Sequence, residues 1–126
     1  MKRVLLADAD RSNAEVLAMA LKGEGYELLL AHSLEEWIEI LDKKNMDLIL
    51  LDESFLTISR LLFSLSKKAY KKLQKTSLVI MTLYPEIIEH RQKFPQKAKF
   101  LLKPFHADEM FMVIRQVFFE RSGVLV

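Results

Sequence analysis

Five short apolar runs, each unbroken and each followed by a stretch with helical spacing, constrain this chain more than any other feature. The runs are residues 4–7, 27–31, 48–51, 78–81 and 100–102. A strand wetted on one face alternates apolar and polar residues, whereas a run without alternation is buried on both faces. Strands of that kind need helices above and below them, joined by right-handed crossovers to a parallel sheet.

The intervening stretches carry the helices. Ala14, Leu17, Ala18 and Leu21 recur at steps of three and four, and Gly23-Glu24-Gly25 ends that stripe. Ser33 stands as an N-cap with Glu36 three residues on, a capping box. The helix it opens turns Leu34, Trp37, Ile38 and Leu41 inward and stops near Lys43-Lys44-Asn45. A third stretch has Ile58, Leu61, Leu62, Leu65 and Ala69 on one side and Lys67, Lys68, Lys71, Lys72 and Lys75 on the other. Residues 85–94 read as a short, weakly anchored helix. The last helix, residues 107–120, points Met110, Val113, Ile114 and Val117 at the core. Strand then helix, five times over, predicts an α/β fold: a doubly wound five-stranded parallel sheet, a flavodoxin-like (βα)5 three-layer sandwich.

The 126 residues have room for one domain, residues 1–126, and nothing within them reads as an output domain, linker or repeat. Cysteine is absent, which excludes disulfides, thiolate catalysis and cysteine-based metal sites. Asp8 and Asp10 end the first apolar run too early for a signal peptide, and no run approaches the ~20 residues that span a bilayer. A cytoplasmic location with no membrane partner is expected. The net charge of +2 makes no case for nucleic acid, and the lysines between Lys67 and Lys75 read as a solvated helix face. His32, His90 and His106 lack metal spacing and suit surface or capping roles.

Open parallel sheets bind ligands beyond the carboxyl ends of their strands, where strand order reverses. The residues at those tips are Asp8 with Asp10, Asp52, Thr82 and Lys103. Two acidic tips, a hydroxyl and an ammonium are therefore expected to converge on one rim.

The segments around these tips, Val4-Leu5-Leu6-Ala7-Asp8, Asp47-Leu48-Ile49-Leu50-Leu51-Asp52, Ile80-Met81-Thr82 and Phe100-Leu101-Leu102-Lys103-Pro104-Phe105, resemble the response-regulator receiver family over essentially the whole chain. The resemblance implies that Asp52 accepts a phosphoryl group from a histidine kinase or phosphotransfer protein. It also implies that Thr82 is the hydroxyl that moves to the phosphoryl group, that Lys103 is its cation, and that Lys103-Pro104 is a peptide often cis in the family. Phe100 falls on the aromatic switch position. Magnesium would be held by Asp8, Asp52 and the backbone carbonyl of Ser54. Such a domain is a signalling module rather than an enzyme.

The sequence departs from the family at several places. Ala9 stands where an acid normally touches the metal, so magnesium binding is expected to be weak. Leu56 replaces a proline, Ser59-Arg60 a glycine, and Gln96-Lys97-Ala98-Lys99 a Gly-Ala pair. Leu83 replaces a small residue and is expected to narrow the path to Asp52. Phe111, Phe118 and Phe119 give the last helix more aromatic surface than one packed face needs, which points to a homodimer or docked partner at the last strand-helix face. Two functional readings follow: a phosphoaccepting receiver, and a pseudo-receiver serving as a phosphorylation-independent protein-interaction module.

Overall fold

A computed structural model describes residues 1–55, 66–89 and 98–122. The strands are β1 (Arg3–Ala7), β2 (Glu27–Ala31), β3 (Leu48–Asp52), β4 (Ser77–Thr82) and β5 (Lys99–Leu102). The helices are α1 (Arg11–Gly23), α2 (Leu34–Lys43), α3 (Lys67–Lys75), α4 (Pro85–Glu89) and α5 (Ala107–Ser122), with a 3-10 turn at Glu53–Phe55. All strands are parallel in the order β2-β1-β3-β4-β5, so the order reverses between β1 and β3. The doubly wound (βα)5 architecture is the one expected from the apolar runs.

The runs are unbroken because both faces of the sheet are covered, and alternate residues report to different helical layers. Val4 and Leu6, Leu48 and Leu50, Val79 and Met81, with Leu101, pack with α1 and α5. Leu5 and Ala7, Ile49 and Leu51, Leu78 and Ile80 pack with α2 and α3, around the buried Trp37. This period of two follows from strand geometry. It also decides which strand tips face one another.

Local sequence sets the helix ends. Asp10 caps α1, its carboxylate accepting from Asn13 N–H at 3.1 Å. Gly25, at φ +89°, turns the chain from α1 into β2 in a region that side-chain-bearing residues rarely visit. Ser33 caps α2 by accepting from Glu36 N–H, while the Glu36 carboxylate reaches the N–H of His32 rather than of Ser33 itself. Ser66 caps α3 by accepting from Ala69 N–H at 3.0 Å, so this helix starts at Lys67, and Ile58, Leu61, Leu62 and Leu65 lie outside the described residues. The part of the 85–94 segment that is described is the single turn of α4, which buries no residue.

One expectation about α5 is corrected. Phe118 is buried, packed on Tyr26 with ring centroids 6.2 Å apart and Lys2 Nζ 5.3 Å from its centroid. The inward stripe is Met110, Ile114, Val117 and Phe118. Val113 and Phe111 are only half-buried, and Phe119 alone of the three extra rings is exposed. No described helix is long and apolar enough to cross a membrane.

Candidate functional site

Beyond the carboxyl ends of β1, β3 and β5, next to the point where strand order reverses, an open cavity of about 520 Å³ is lined by Asp8, Ala9, Asp10, Asn13, Asp52 and Lys103. Asp52 ends β3 with its side chain 6% exposed, and Lys103 Nζ pairs with its Oδ1. Asp8 is buried just past β1 and is fixed from several sides. Its N–H donates to Ala31 carbonyl oxygen at 3.0 Å. Its own carbonyl lies 3.1 Å from His32 Nδ1; a carbonyl only accepts, so this nitrogen carries the proton in that contact. Its carboxylate accepts from Asp10 N–H at 2.9 Å and from Asn13 Nδ2 at 2.7 Å.

Asp8, Asp52 and Lys103 thus share one cavity, as their strand-tip positions predict. Thr82 does not line it. Its position on β4 has the parity of Leu78 and Ile80, which pack on the α2 and α3 side, whereas Asp52 has the parity of Leu48 and Leu50 on the α1 and α5 side. The fully buried Thr82 hydroxyl instead donates to Glu53 Oε2 at 2.7 Å and accepts from Tyr84 N–H at 3.0 Å. Phe100 has the same parity as Thr82 and packs, half-buried, on the α2 and α3 side. Ser54 lies in the turn just after Asp52. The Lys103–Pro104 peptide is cis.

Leu83 is half-exposed and lines an adjoining groove of about 430 Å³ rather than the acidic cavity. That groove runs between Val16, Leu17 and Ala20 of α1 and the Pro104-Phe105 loop. Asn13 and Lys103 border both spaces. Asp10 caps α1 and also borders the cavity. Leu56, Ser59, Arg60, His90, Gln96 and Lys97 lie outside the described residues.

Three residues at the site were not singled out from the sequence for a part in it. Asn13 holds Asp8, and its signal was a polar residue just before the α1 stripe, three positions after a capping acid. Glu53 holds Thr82, and its signal was a second acid directly after the β3 tip. His32 braces the Asp8 backbone from the end of the neighbouring strand β2.

The donors around the cavity are hard oxygens, which suit magnesium rather than a softer metal. Magnesium sites commonly use only one or two carboxylates and keep several waters. Asp8 and Asp52 meet that requirement, with the Ser54 carbonyl close in sequence to Asp52. The set is sparse: Ala9 adds no side-chain oxygen, and both Asp8 carboxylate oxygens already accept hydrogen bonds. Among the described residues no group of three acids or histidines is arranged to hold a metal together. Lys103 is the one cation among the described lining residues and offsets part of the charge of three carboxylates.

A doubly wound parallel sheet with a buried aspartate paired to a lysine at the switch point of its strands defines the class, a flavodoxin-like α/β domain with an acidic cup at its carboxyl edge. The sequence model for the response regulator receiver domain matches residues 4–115, and the chain belongs to that family. It is 30% identical over 122 residues to the cell cycle transcriptional regulator CtrA of Caulobacter vibrioides, covering 96% of this chain and 52% of CtrA. The chain therefore spans about half the length of the curated relatives it matches. The receiver domain of a Francisella response regulator superposes with a TM-score of 0.78 at 22% identity, covering 97% of this chain and all of that one. The response regulator TrrA of Thermotoga maritima, solved in complex with Mg²⁺-BeF, gives a TM-score of 0.70 at 22% identity, covering 93% and 99%. At these identities the structural likeness establishes the fold alone.

Proposed function

We propose that residues 1–126 act as one receiver unit that takes a phosphoryl group on Asp52 from a histidine kinase or phosphotransfer protein in two-component signalling. The observation that carries this reading is the buried Asp52 carboxylate, paired with Lys103 and facing the same open cavity as the buried Asp8. In the proposed step an Asp52 oxygen bonds to phosphorus as the bond from phosphorus to the donor's imidazole nitrogen breaks, and the electron pair stays on that nitrogen. Lys103 balances charge on the acyl phosphate, which carries about two negative charges. Asp8, held by Asn13 and by the Asp10 N–H, keeps a carboxylate turned to the cavity. Magnesium, when bound, supplies the positive charge that phosphoryl transfer chiefly requires; Asp8, Asp52 and the Ser54 carbonyl would hold it, weakly because Ala9 contributes no carboxylate. Thr82 and Phe100, on the opposite parity, would relay the change to the α2 and α3 side.

The second reading, a phosphorylation-independent interaction module, draws on Ala9 and on the engagement of the Thr82 hydroxyl by Glu53. Self-association through β5 and α5 loses support from the burial of Phe118, although Leu102, Met112 and Phe119 stay exposed there. Intact mass after incubation with a small-molecule phosphodonor and magnesium decides between the two functions. A phosphoryl adduct in the wild type and none in Asp52→Asn is the expected result. No adduct on folded protein, under conditions that label an intact receiver, would favour the interaction module.

A further inference from the structure

A threonine hydroxyl has one hydrogen to give. In Thr82 that hydrogen goes to Glu53 Oε2 at 2.7 Å, and Leu83 N–H donates to the same oxygen at 3.2 Å. The lone-pair side of the hydroxyl is engaged as well, by Tyr84 N–H at 3.0 Å. Thr82 is fully buried, Glu53 half-buried. Glu53 opens the 3-10 turn that follows β3, so it is the chain neighbour of Asp52, yet it does not line the acidic cavity. The Thr82 hydroxyl is therefore committed to a carboxylate outside the cavity.

We propose that Glu53 is a positioning residue that latches Thr82 away from the Asp52 cavity and lets it go when Asp52 carries a phosphoryl group; this rests on the reading of Asp52 as acceptor. Two acceptors then compete for one hydrogen. In the resting protein the hydrogen goes to Glu53, and a hydrogen bond to an ionised acceptor is about twice as strong as a neutral one. Phosphorylation places about two further negative charges one residue away from the Glu53 carboxylate and offers three new acceptor oxygens. Repulsion drives Glu53 off while the phosphoryl oxygens attract the hydroxyl. Before that point the latch reduces the population in which Thr82 faces the cavity, and apparent affinity for a phosphoryl group falls by the same fraction.

The experiment compares wild type, Glu53→Gln, Glu53→Ala, Thr82→Val, Thr82→Ser and Glu53→Ala with Thr82→Val. One readout is the Thr82 methyl resonance in the ligand-free protein, by NMR; the other is affinity for beryllofluoride with magnesium. Glu53→Ala is expected to shift the Thr82 methyl and to tighten beryllofluoride at least about fivefold. Glu53→Gln, which keeps an acceptor oxygen but loses the charge, should fall between. Replacing Glu53 by Ala should tighten beryllofluoride markedly less in the Thr82→Val protein, where only like-charge repulsion is relieved, and should keep its full effect in Thr82→Ser. Binding by wild type with no gain in Glu53→Ala, or the same gain without the Thr82 hydroxyl, overturns the latch and leaves the acceptor reading standing. If no folded variant binds beryllofluoride, the acceptor reading falls and the release step with it. An unchanged Thr82 methyl in Glu53→Ala overturns the resting half of the latch on its own.

Discussion

Replacing Lys103 with methionine keeps most of the side-chain stem and removes the ammonium from Asp52. The Asp52 carboxylate is 6% exposed and Lys103 is 21% exposed. Stripping one partner from a fully buried pair costs ~3–5 kcal/mol, whereas an exposed pair is worth ~0–1 kcal/mol. This pair lies between the limits: its carboxylate is buried, but the cavity beside it opens to water. Asp8 shares that cavity, so the variant also loses the charge that offsets two neighbouring carboxylates. A loss of about 2 kcal/mol follows, roughly a 30-fold fall in the folded-to-unfolded ratio. With a urea slope of ~1–2 kcal/mol per molar, the midpoint should drop by about 1–2 M. Trp37, the sole tryptophan and fully buried, reports the transition by fluorescence. Because the cost is an uncompensated charge and not lost packing, Asp52→Asn in the Lys103→Met background should recover much of it. A midpoint unchanged in Lys103→Met, or no recovery in the double variant, refutes the argument that this pair neutralises the cup.

Ala9→Asp should tighten magnesium about tenfold by adding a carboxylate to the cavity lining, measured by titration calorimetry; unchanged affinity would remove position 9 from the metal site. Trp37→Ala should cost ~3–5 kcal/mol in urea unfolding, but Trp37→Phe only about 1, because the indole N–H has no partner among the described residues and its loss offsets part of the lost volume. Burial raises the Tyr26 hydroxyl above its ordinary value, against a smaller lowering by Arg115. The neutral phenol is thus favoured in the folded protein, and its contribution is intact below pH ~10 and lost as pH rises through the folded value. Tyr26→Phe should therefore lose less stability than wild type between pH 9 and 11, as urea midpoints would show.

The strands and the doubly wound parallel sheet were legible because burial on both faces leaves a mark that side-chain chemistry cannot disguise. Asp8, Asp52 and Lys103 were legible for a second reason: each stands at a strand tip and shares one parity. Thr82 also stands at a tip, yet its parity is the other one, and counting residues by two along β4 from Val79 and Met81 would have set it apart. Glu53 escaped because its partner Thr82 lies 29 residues away on β4, and Asn13 because its partner Asp8 stands outside the helix whose apolar stripe marks α1. Phe118 was misplaced through a choice of stripe: Met110, Ile114, Val117 and Phe118 fit a helical face as well as the set ending at Val117, and only the contact with Tyr26 decides between them. The start of α3 was hidden because Ser66 is followed three positions on by Ala69 and not by an acid or amide, so the capping-box pattern is absent.

Asn13 forms part of two walls at once, one facing the acids and one facing the apolar groove. Its carboxamide holds Asp8 from the same helix whose Val16 and Ala20 form the groove. A substitution chosen to reshape the groove for a different visitor would release Asp8 at the same stroke. A substitution chosen to retune the acids would alter the groove's edge. Drift at this position is therefore doubly penalised: a chain that abandoned the chemistry of the cup would still be held at residue 13 by the groove.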